Sequence, residues 1–149
     1  MFWKLMQEVG PEKLDEPAGR FVLQRGTDAQ GPHLDLRLEC DGFLIGWRIE
    51  GDALADESLA IEKGPHASRW LDASERNIAS GQYAVERNEP HARTLLIETK
   101  DGIKRLRFER DDSFTPARYR AMKAALHSAG VEIDQAATLM RDGATARAR

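Results

Sequence analysis

The sequence is poor in several features that define large classes of proteins. It has a single cysteine, Cys40, so it can form no internal disulfide and has no cysteine pair for a zinc site. We expect Cys40 to be a small buried side chain of a protein in a reducing, cytoplasmic compartment. No hydrophobic run approaches the roughly 20 residues that cross a bilayer, and Glu8 interrupts the apolar start too early for a signal-peptide core. The sequence therefore predicts neither export nor membrane insertion.

An excess of positive charge is also missing. The 149 residues carry 22 Lys+Arg and 25 Asp+Glu, so no global basic field attracts nucleic acid. Basic side chains are nevertheless concentrated after residue 92, where 12 of them face 8 acidic ones. Any contact with phosphates is expected to be local, and solvated surface charge is the alternative explanation of this basic region.

Most of the chain has the pattern of short strands. Leu34, Leu36 and Leu38 alternate with Asp35 and Arg37, which is the period of two of a half-buried strand. The Asp-Gly pair at 41–42 then predicts a tight antiparallel hairpin. The predicted strands cover residues 20–24, 34–40, 43–49, 59–61, 82–85, 94–99 and 103–109.

The pattern becomes helical after residue 112. Thr115-Pro116 is a helix-start signal, and helical spacing of Tyr119, Met122 and Leu126 predicts a helix over residues 116–128. A second helix over 134–141 and a disordered basic tail over 144–149 follow. The expected architecture is a mainly β domain, a small antiparallel β-barrel over residues 1–112, with a C-terminal helical appendage over 113–149.

One strand face carries side chains suited to chemistry. His33, Asp35, Arg37 and Glu39 project from the same side of the predicted strand, about 6.6–6.8 Å apart at each step. An imidazole and a carboxylate can share a divalent cation, and a guanidinium one step further can hold a phosphate oxygen. Alternating charges are also what any half-exposed strand presents, and His33 after Gly31-Pro32 fits a plain loop residue.

A resemblance favours the first interpretation. The segments Phe21-Val22-Leu23-Gln24 and His33-Leu34-Asp35-Leu36-Arg37-Leu38-Glu39, followed by Asp41-Gly42 and Trp47, resemble the 3′-phosphoesterase domain of bacterial and archaeal DNA ligase D. The likeness extends through Leu59-Ala60-Ile61, His66 and Gly81-Gln82-Tyr83. It implies a β-barrel that uses manganese to trim ribonucleosides and phosphates from 3′ ends of DNA or RNA before end joining.

The resemblance also implies roles for individual residues. By it, His33 and Asp35 are metal ligands, Arg37 is a catalytic residue that contacts the scissile phosphate, and His66 assists phosphate binding or transition-state stabilisation. Trp70 falls where the family has a substrate-side tyrosine, although Trp47 and Trp70 also suit ordinary packing. The implied partners are DNA 3′ ends and a DNA ligase or other end-joining protein.

The sequence departs from the family at three places. The family's first metal histidine falls on Gly26, for which Asp28 is the candidate replacement because manganese accepts oxygen ligands. The segment after Trp47 lacks the family's active-site lysine, and Gly64-Pro65 replaces the Glu-Asp pair before His66. Two alternatives therefore stand beside an active enzyme: a noncatalytic barrel that binds DNA ends or a repair partner, and an unrelated small-molecule-binding barrel.

Overall fold

The computed structural model describes residues 1–40, 43–67 and 76–129, with the backbone alone at 43, 44, 64–67, 126, 127 and 129. The described part contains eight strands and one helix. Their bounds are β1 Phe2–Val9, β2 Gly19–Asp28, β3 Gly31–Cys40, β4 Phe43–Glu50, β5 Glu57–Ala67, β6 Asn77–Glu89, β7 Ala92–Thr99, β8 Gly102–Arg110 and α1 Pro116–Ala129.

The strands form a closed antiparallel barrel in the order β1-β5-β4-β3-β2-β6-β7-β8. The predicted fold class, an antiparallel barrel followed by a helix, is confirmed. β1 was not among the predicted strands, and it closes the barrel by pairing with both β5 and β8. The sequence of β1 does not alternate between apolar and polar residues at its start, because Phe2 and Trp3 are both buried. Phe2 packs outside the barrel against the helix, and Trp3 lies inside the barrel.

The barrel interior is filled by apolar side chains from all its strands, as is usual for a small barrel. Leu34, Leu36 and Leu38 of β3 lie in this core with at most 2% of their surface exposed. The predicted polarity of this strand is therefore confirmed, and its odd-numbered residues face outward. The expectation for Cys40 is wrong: it is exposed, because β3 ends there.

Helix α1 packs against the outside of the barrel. Tyr119 and the nearby Phe114 form a buried cluster with Phe2 and Leu59, and the N–H of Arg118 donates to the Thr115 hydroxyl at the predicted start of the helix. The helix ends one residue beyond its predicted end. The predicted second helix and basic tail lie outside the described residues. Within the described part, no helix has the length and apolar character of a membrane span.

Candidate functional site on the outer face of the barrel

The outer side of β3 is the centre of a continuous polar surface. Asp35 pairs in register with Gln24 of β2 on one side and with Arg48 of β4 on the other. Directly opposed residues of antiparallel strands project to the same side, so these side chains converge. We refer to this surface as the polar face and define it by Gln24, Asp28, His33, Asp35, Arg37, Arg48, Glu50, Lys63 and Arg76.

The three proposed metal ligands lie close together on the polar face. His33 Nε2 is 3.3 Å from Asp35 Oδ2, a separation at which both atoms can bind one cation, and His33 Nδ1 is 4.0 Å from Asp28 Oδ2. The Nδ1 atom also lies 3.3 Å from the carbonyl oxygen of Gly31, so both ring nitrogens of this buried histidine face acceptor oxygens. Asp28 is turned towards Arg48, whose Nη1 and Nη2 donate to its two carboxylate oxygens at 2.5 and 3.1 Å.

A guanidinium occupies the position that the resemblance assigns to the first metal histidine. If residue 26 had a side chain, its Cβ would lie 2.3 Å from Nη2 of Arg76 and 3.2 Å from Nε2 of His33. Arg76 is fixed there by donating from Nε to the Arg25 carbonyl at 3.0 Å and from Nη2 to Asp35 Oδ2 at 3.4 Å. A cationic side chain therefore stands where a neutral nitrogen ligand would be needed.

These contacts decide how well the polar face fits a manganese ion. Within residues 1–40, 43–67 and 76–129, His33 and Asp35 are the two described side chains that offer donor atoms to a common point on the polar face, while Asp28 is held by Arg48. Among the described residues no group of three or more His, Cys, Asp or Glu side chains is placed to hold a metal. The described residues alone do not fit a resident manganese ion, because they supply no third ligand and the Arg76 guanidinium adds positive charge beside His33 and Asp35.

Arg37 lies at the other end of the polar face, beside a lysine. Its Nε donates to the fully buried Gln24 at 3.0 Å, and Gln24 in turn donates to Asn77 at 3.0 Å. Burial lowers the pKa of Arg37, an effect partly offset by Asp35. In register, Arg37 lies opposite Gly46 of β4, which lies opposite Lys63 of β5.

Gly46 has a steric reason to lack a side chain. A Cβ there would stand 1.7 Å from the carbonyl oxygen of Leu36, because β3 and β4 approach closely at this point. No side chain therefore separates Arg37 from Lys63, and both residues line one crevice beside Asp35. Two cationic side chains therefore flank a shallow crevice over bare backbone, an arrangement of charge that favours an anion at the surface.

A buried charge network joins the polar face to α1. Arg48 donates to Glu50 at 3.1 Å, and Glu50 accepts hydrogen bonds from Tyr119 and, at 2.8 Å, from Lys123. Burial disfavours the charge of Arg48, yet its bonds to Asp28 and Glu50 outweigh that effect and raise its pKa. Burial and the bond to Glu50 raise the pKa of Tyr119, whereas burial lowers the pKa of Lys123.

The side chains of the two remaining predicted site residues, His66 and Trp70, lie outside the described part of the chain. The backbone of His66 lies in β5, in register with Leu44, and its side chain falls outside the description. Trp70 lies outside the described residues. Sequence reasoning missed Lys63, which reaches the polar face through the pairing of β4 with β5, and Arg76, which reaches it from the residue just before β6. The register of β4 against β5 is the signal that could have identified Lys63.

The charges of the polar face, taken together with Lys123 of α1, do not cancel. Four cations (Arg37, Arg48, Arg76 and Lys123) and three carboxylates (Asp28, Asp35 and Glu50) form one chain of contacts that runs through His33. One positive charge is left over, and Lys63, with no ion pair in the described part, adds another. Fold and site together define an antiparallel barrel with an arginine-rich, anion-attracting outer face.

The chain is similar to one protein of known function. Over 68 residues it is 37% identical to the multifunctional non-homologous end joining DNA repair protein LigD of Mycobacterium tuberculosis. The match covers 44% of this chain and 9% of LigD, so the chain corresponds to a small part of that protein. No family model matches the chain. The similarity supports a relationship to a part of LigD, in agreement with the predicted resemblance at that level.

Proposed function

We propose that this barrel binds the terminal phosphate of a nucleic-acid end without a resident metal ion, as a noncatalytic relative of the DNA ligase D 3′-phosphoesterase domain. The observation that carries the proposal is the position of Arg76. Its guanidinium lies beside Asp35 and fills the space next to Gly26, where the family places its first metal ligand. A fixed positive charge at this point attracts a phosphate as a cation would, but it supplies no exchangeable coordination site for an attacking water.

The phosphate is held between Arg37 and Lys63. Arg37 is oriented by Gln24 and Asp35, so its donors are fixed before binding. Lys63 lies across the bare backbone of Gly46 and has no ion pair within the described residues. Together they provide two charge-assisted contacts, each stronger than a neutral hydrogen bond.

The role in DNA repair rests on the similarity to LigD, whose name assigns it to non-homologous end joining. The acidic part of the chain makes broad, nonspecific DNA binding unfavourable. A protein that recognises ends through a local cationic cradle suits this charge distribution. DNA 3′ ends and a DNA ligase or another end-joining protein are the partners we propose.

Binding of labelled oligonucleotides tests the proposal. Fluorescence anisotropy in EDTA should show at least about hundredfold tighter binding of a 3′-phosphate end than of a 3′-hydroxyl end, which corresponds to two charge-assisted contacts of about 1.5 kcal/mol each. Arg37→Ala should reduce this preference at least about tenfold, because it removes one of the two contacts. Arg87→Ala is the matched control, because Arg87 is exposed on β6 and pairs with Glu89. Equal affinity for the two ends, or a preference lost in EDTA, would contradict the proposal.

A manganese-dependent 3′-phosphoesterase is the second candidate. It is favoured by the LigD similarity and by the 3.3 Å separation of His33 Nε2 and Asp35 Oδ2. In this case Asp28 or water completes the ligand set, Arg37 and His66 act on the phosphate, and Trp70 contacts the substrate. Release of inorganic phosphate from the same 3′-phosphate oligonucleotide with Mn²⁺, abolished by Asp35→Ala, would establish this candidate in place of the first.

A further inference from the structure

A pocket of about 370 Å³ opens at one end of the barrel, next to the polar face. Its walls come from β4 and β5 on one side and from the β6–β7 hairpin on the other. The pocket is lined by Ile45, Trp47, Glu62, Lys63, Asn88 and Arg93. This volume falls in the range of pockets that bind small organic ligands.

The pocket contains an arginine held in one orientation. Nη1 of Arg93 donates to Glu62 at 2.8 Å, and the guanidinium carbon lies 4.9 Å from the Trp3 ring centre and 5.8 Å from that of Trp47. Glu62 is itself fixed by the Trp3 indole N–H at 3.3 Å. Although it is held in this way, the Arg93 side chain remains 28% exposed. A planar guanidinium that is held by these contacts and stays partly exposed offers a surface on which a nucleobase can stack.

Polar groups surround this platform. Asn88 lies opposite Arg93 in the β6–β7 register, so both side chains project to the same side. The Asn88 side chain is exposed and makes no hydrogen bond to another described residue, which leaves its amide group available to the edge of a base. Trp47 also lines the pocket, and its buried indole N–H has no acceptor in the described part of the chain.

The pocket adjoins the proposed phosphate cradle. Gly46, Trp47 and Lys63 line both the pocket and the crevice beside Arg37. Between β4 and β5 the register shifts next to Gly46, so regular pairing is interrupted where the two cavities meet. A molecule with a phosphate at Arg37 and Lys63 can therefore place the group attached to that phosphate in the pocket.

We infer that the barrel-end pocket binds the base and sugar of the terminal nucleotide whose phosphate is held by Arg37 and Lys63. The base stacks on the Arg93 guanidinium, and the Asn88 amide contacts its edge. The inference rests on the proposed phosphate binding and extends it from an anion to a nucleotide. Because stacking tolerates any base, recognition is expected to depend on the presence of a base more than on its identity.

Calorimetric titration with three small probes tests this inference. The wild-type protein should bind thymidine 3′-monophosphate about tenfold more tightly than inorganic phosphate, with weaker but measurable binding of thymidine. Asn88→Trp fills the pocket and should reduce the nucleotide affinity to that of inorganic phosphate. Val85→Trp, at an exposed position of the same strand outside the pocket lining, should leave all three affinities unchanged.

A second variant tests the stacking platform itself. Arg93→Lys keeps the charge beside Glu62 but removes the planar guanidinium, so it should lower the nucleotide affinity about tenfold and leave inorganic phosphate binding unchanged. Equal wild-type affinities for nucleotide and phosphate would overturn the nucleotide subsite and leave the phosphate cradle intact. Undetectable phosphate binding with thymidine binding that Asn88→Trp removes would instead support the pocket and overturn the proposed function.

Discussion

The Nη2 atom of Arg76 lies 3.4 Å from Oδ2 of Asp35, which joins the start of β6 to the middle of β3 across 41 residues of sequence. This contact pairs Asp35, the most buried carboxylate on the outward side of β3, with the Arg76 guanidinium. It also places the guanidinium next to Gly26, the residue to which the resemblance assigns the first metal ligand. The two features are complementary, because a histidine at 26 and the present position of Arg76 exclude each other sterically.

A metal site should therefore be recoverable by reversing both features. Gly26→His combined with Arg76→Ala adds a nitrogen ligand beside His33 and Asp35 and removes the competing charge. We expect manganese affinity to rise at least about tenfold over the wild-type protein, measured by calorimetry near neutral pH. Gly26→Ala with Arg76→Ala is the control without the new ligand. Wild-type affinity as high as that of the histidine variant would show that Arg76 does not block the site.

Gly46 should be among the least replaceable residues of the barrel. Gly46→Ala puts a methyl group 1.7 Å from the Leu36 carbonyl oxygen, so β3 and β4 must separate. We expect a loss of more than about 3 kcal/mol in the free energy of unfolding, measured in urea. Gly102→Ala isolates the conformational effect, since Gly102 has a φ of 111° and nothing near its Cβ position, and should cost about 1 kcal/mol. Similar losses in the two variants would rule out the steric explanation.

The bond between Lys123 and Glu50 should hold α1 on the barrel. Lys123→Ala leaves the Glu50 carboxylate, which is 2% exposed, without one of its charged partners. Removing one partner of a buried ion pair lowers the free energy of unfolding by about 3 kcal/mol. The hydrogen-exchange rates of backbone amides should therefore rise first in α1. Arg120→Ala, at an exposed position on the same helix, should change neither property. Unchanged exchange in the Lys123 variant would show that apolar packing alone retains the helix.

Acid should weaken the contact between Asp28 and Arg48. The hydrogen bond from Arg48 lowers the pKa of Asp28 from 3.8 to about 2, so the folded state favours the ionised carboxylate. Its contribution is complete above about pH 4 and disappears as the pH falls towards 2. Because the Asp28 side chain is 46% exposed, Asp28→Asn should cost only about 1 kcal/mol at pH 7. The wild type and the variant should have nearly the same free energy of unfolding in urea by pH 2. A difference that does not change with pH would show that the variant loses packing contacts instead.

Local patterns predicted the parts of the fold that one strand can specify. The alternation around Leu36 and Asp35 predicted which side of β3 is buried, and the Asp-Gly pair at 41–42 predicted where β3 ends and β4 begins. The same reasoning failed for β1, because Phe2 and Trp3 are buried on opposite sides of the sheet. It also failed for Cys40, since the alternation continues to the end of the strand but the core does not.

The candidate site was predictable only where its residues share a strand. His33, Asp35 and Arg37 follow from the period of two alone. Lys63 reaches Arg37 only through the pairing of two further strands, and Arg76 reaches Asp35 from a separate part of the chain. Such juxtapositions depend on register, which a single sequence specifies weakly.

Closure of the barrel by β1 has a consequence for the order of events in folding. Trp3 pairs with Arg110 of β8, so the first and last strands meet only after the whole barrel sequence is available. Contacts this distant in sequence slow folding, because the entropy of a long loop is lost before they form. During synthesis on the ribosome, β1 and β7 each keep one unpaired edge until β8 has emerged. The nascent chain is therefore most prone to aggregate just before its last strand leaves the exit tunnel, and synonymous codons that slow translation there should lower the soluble yield.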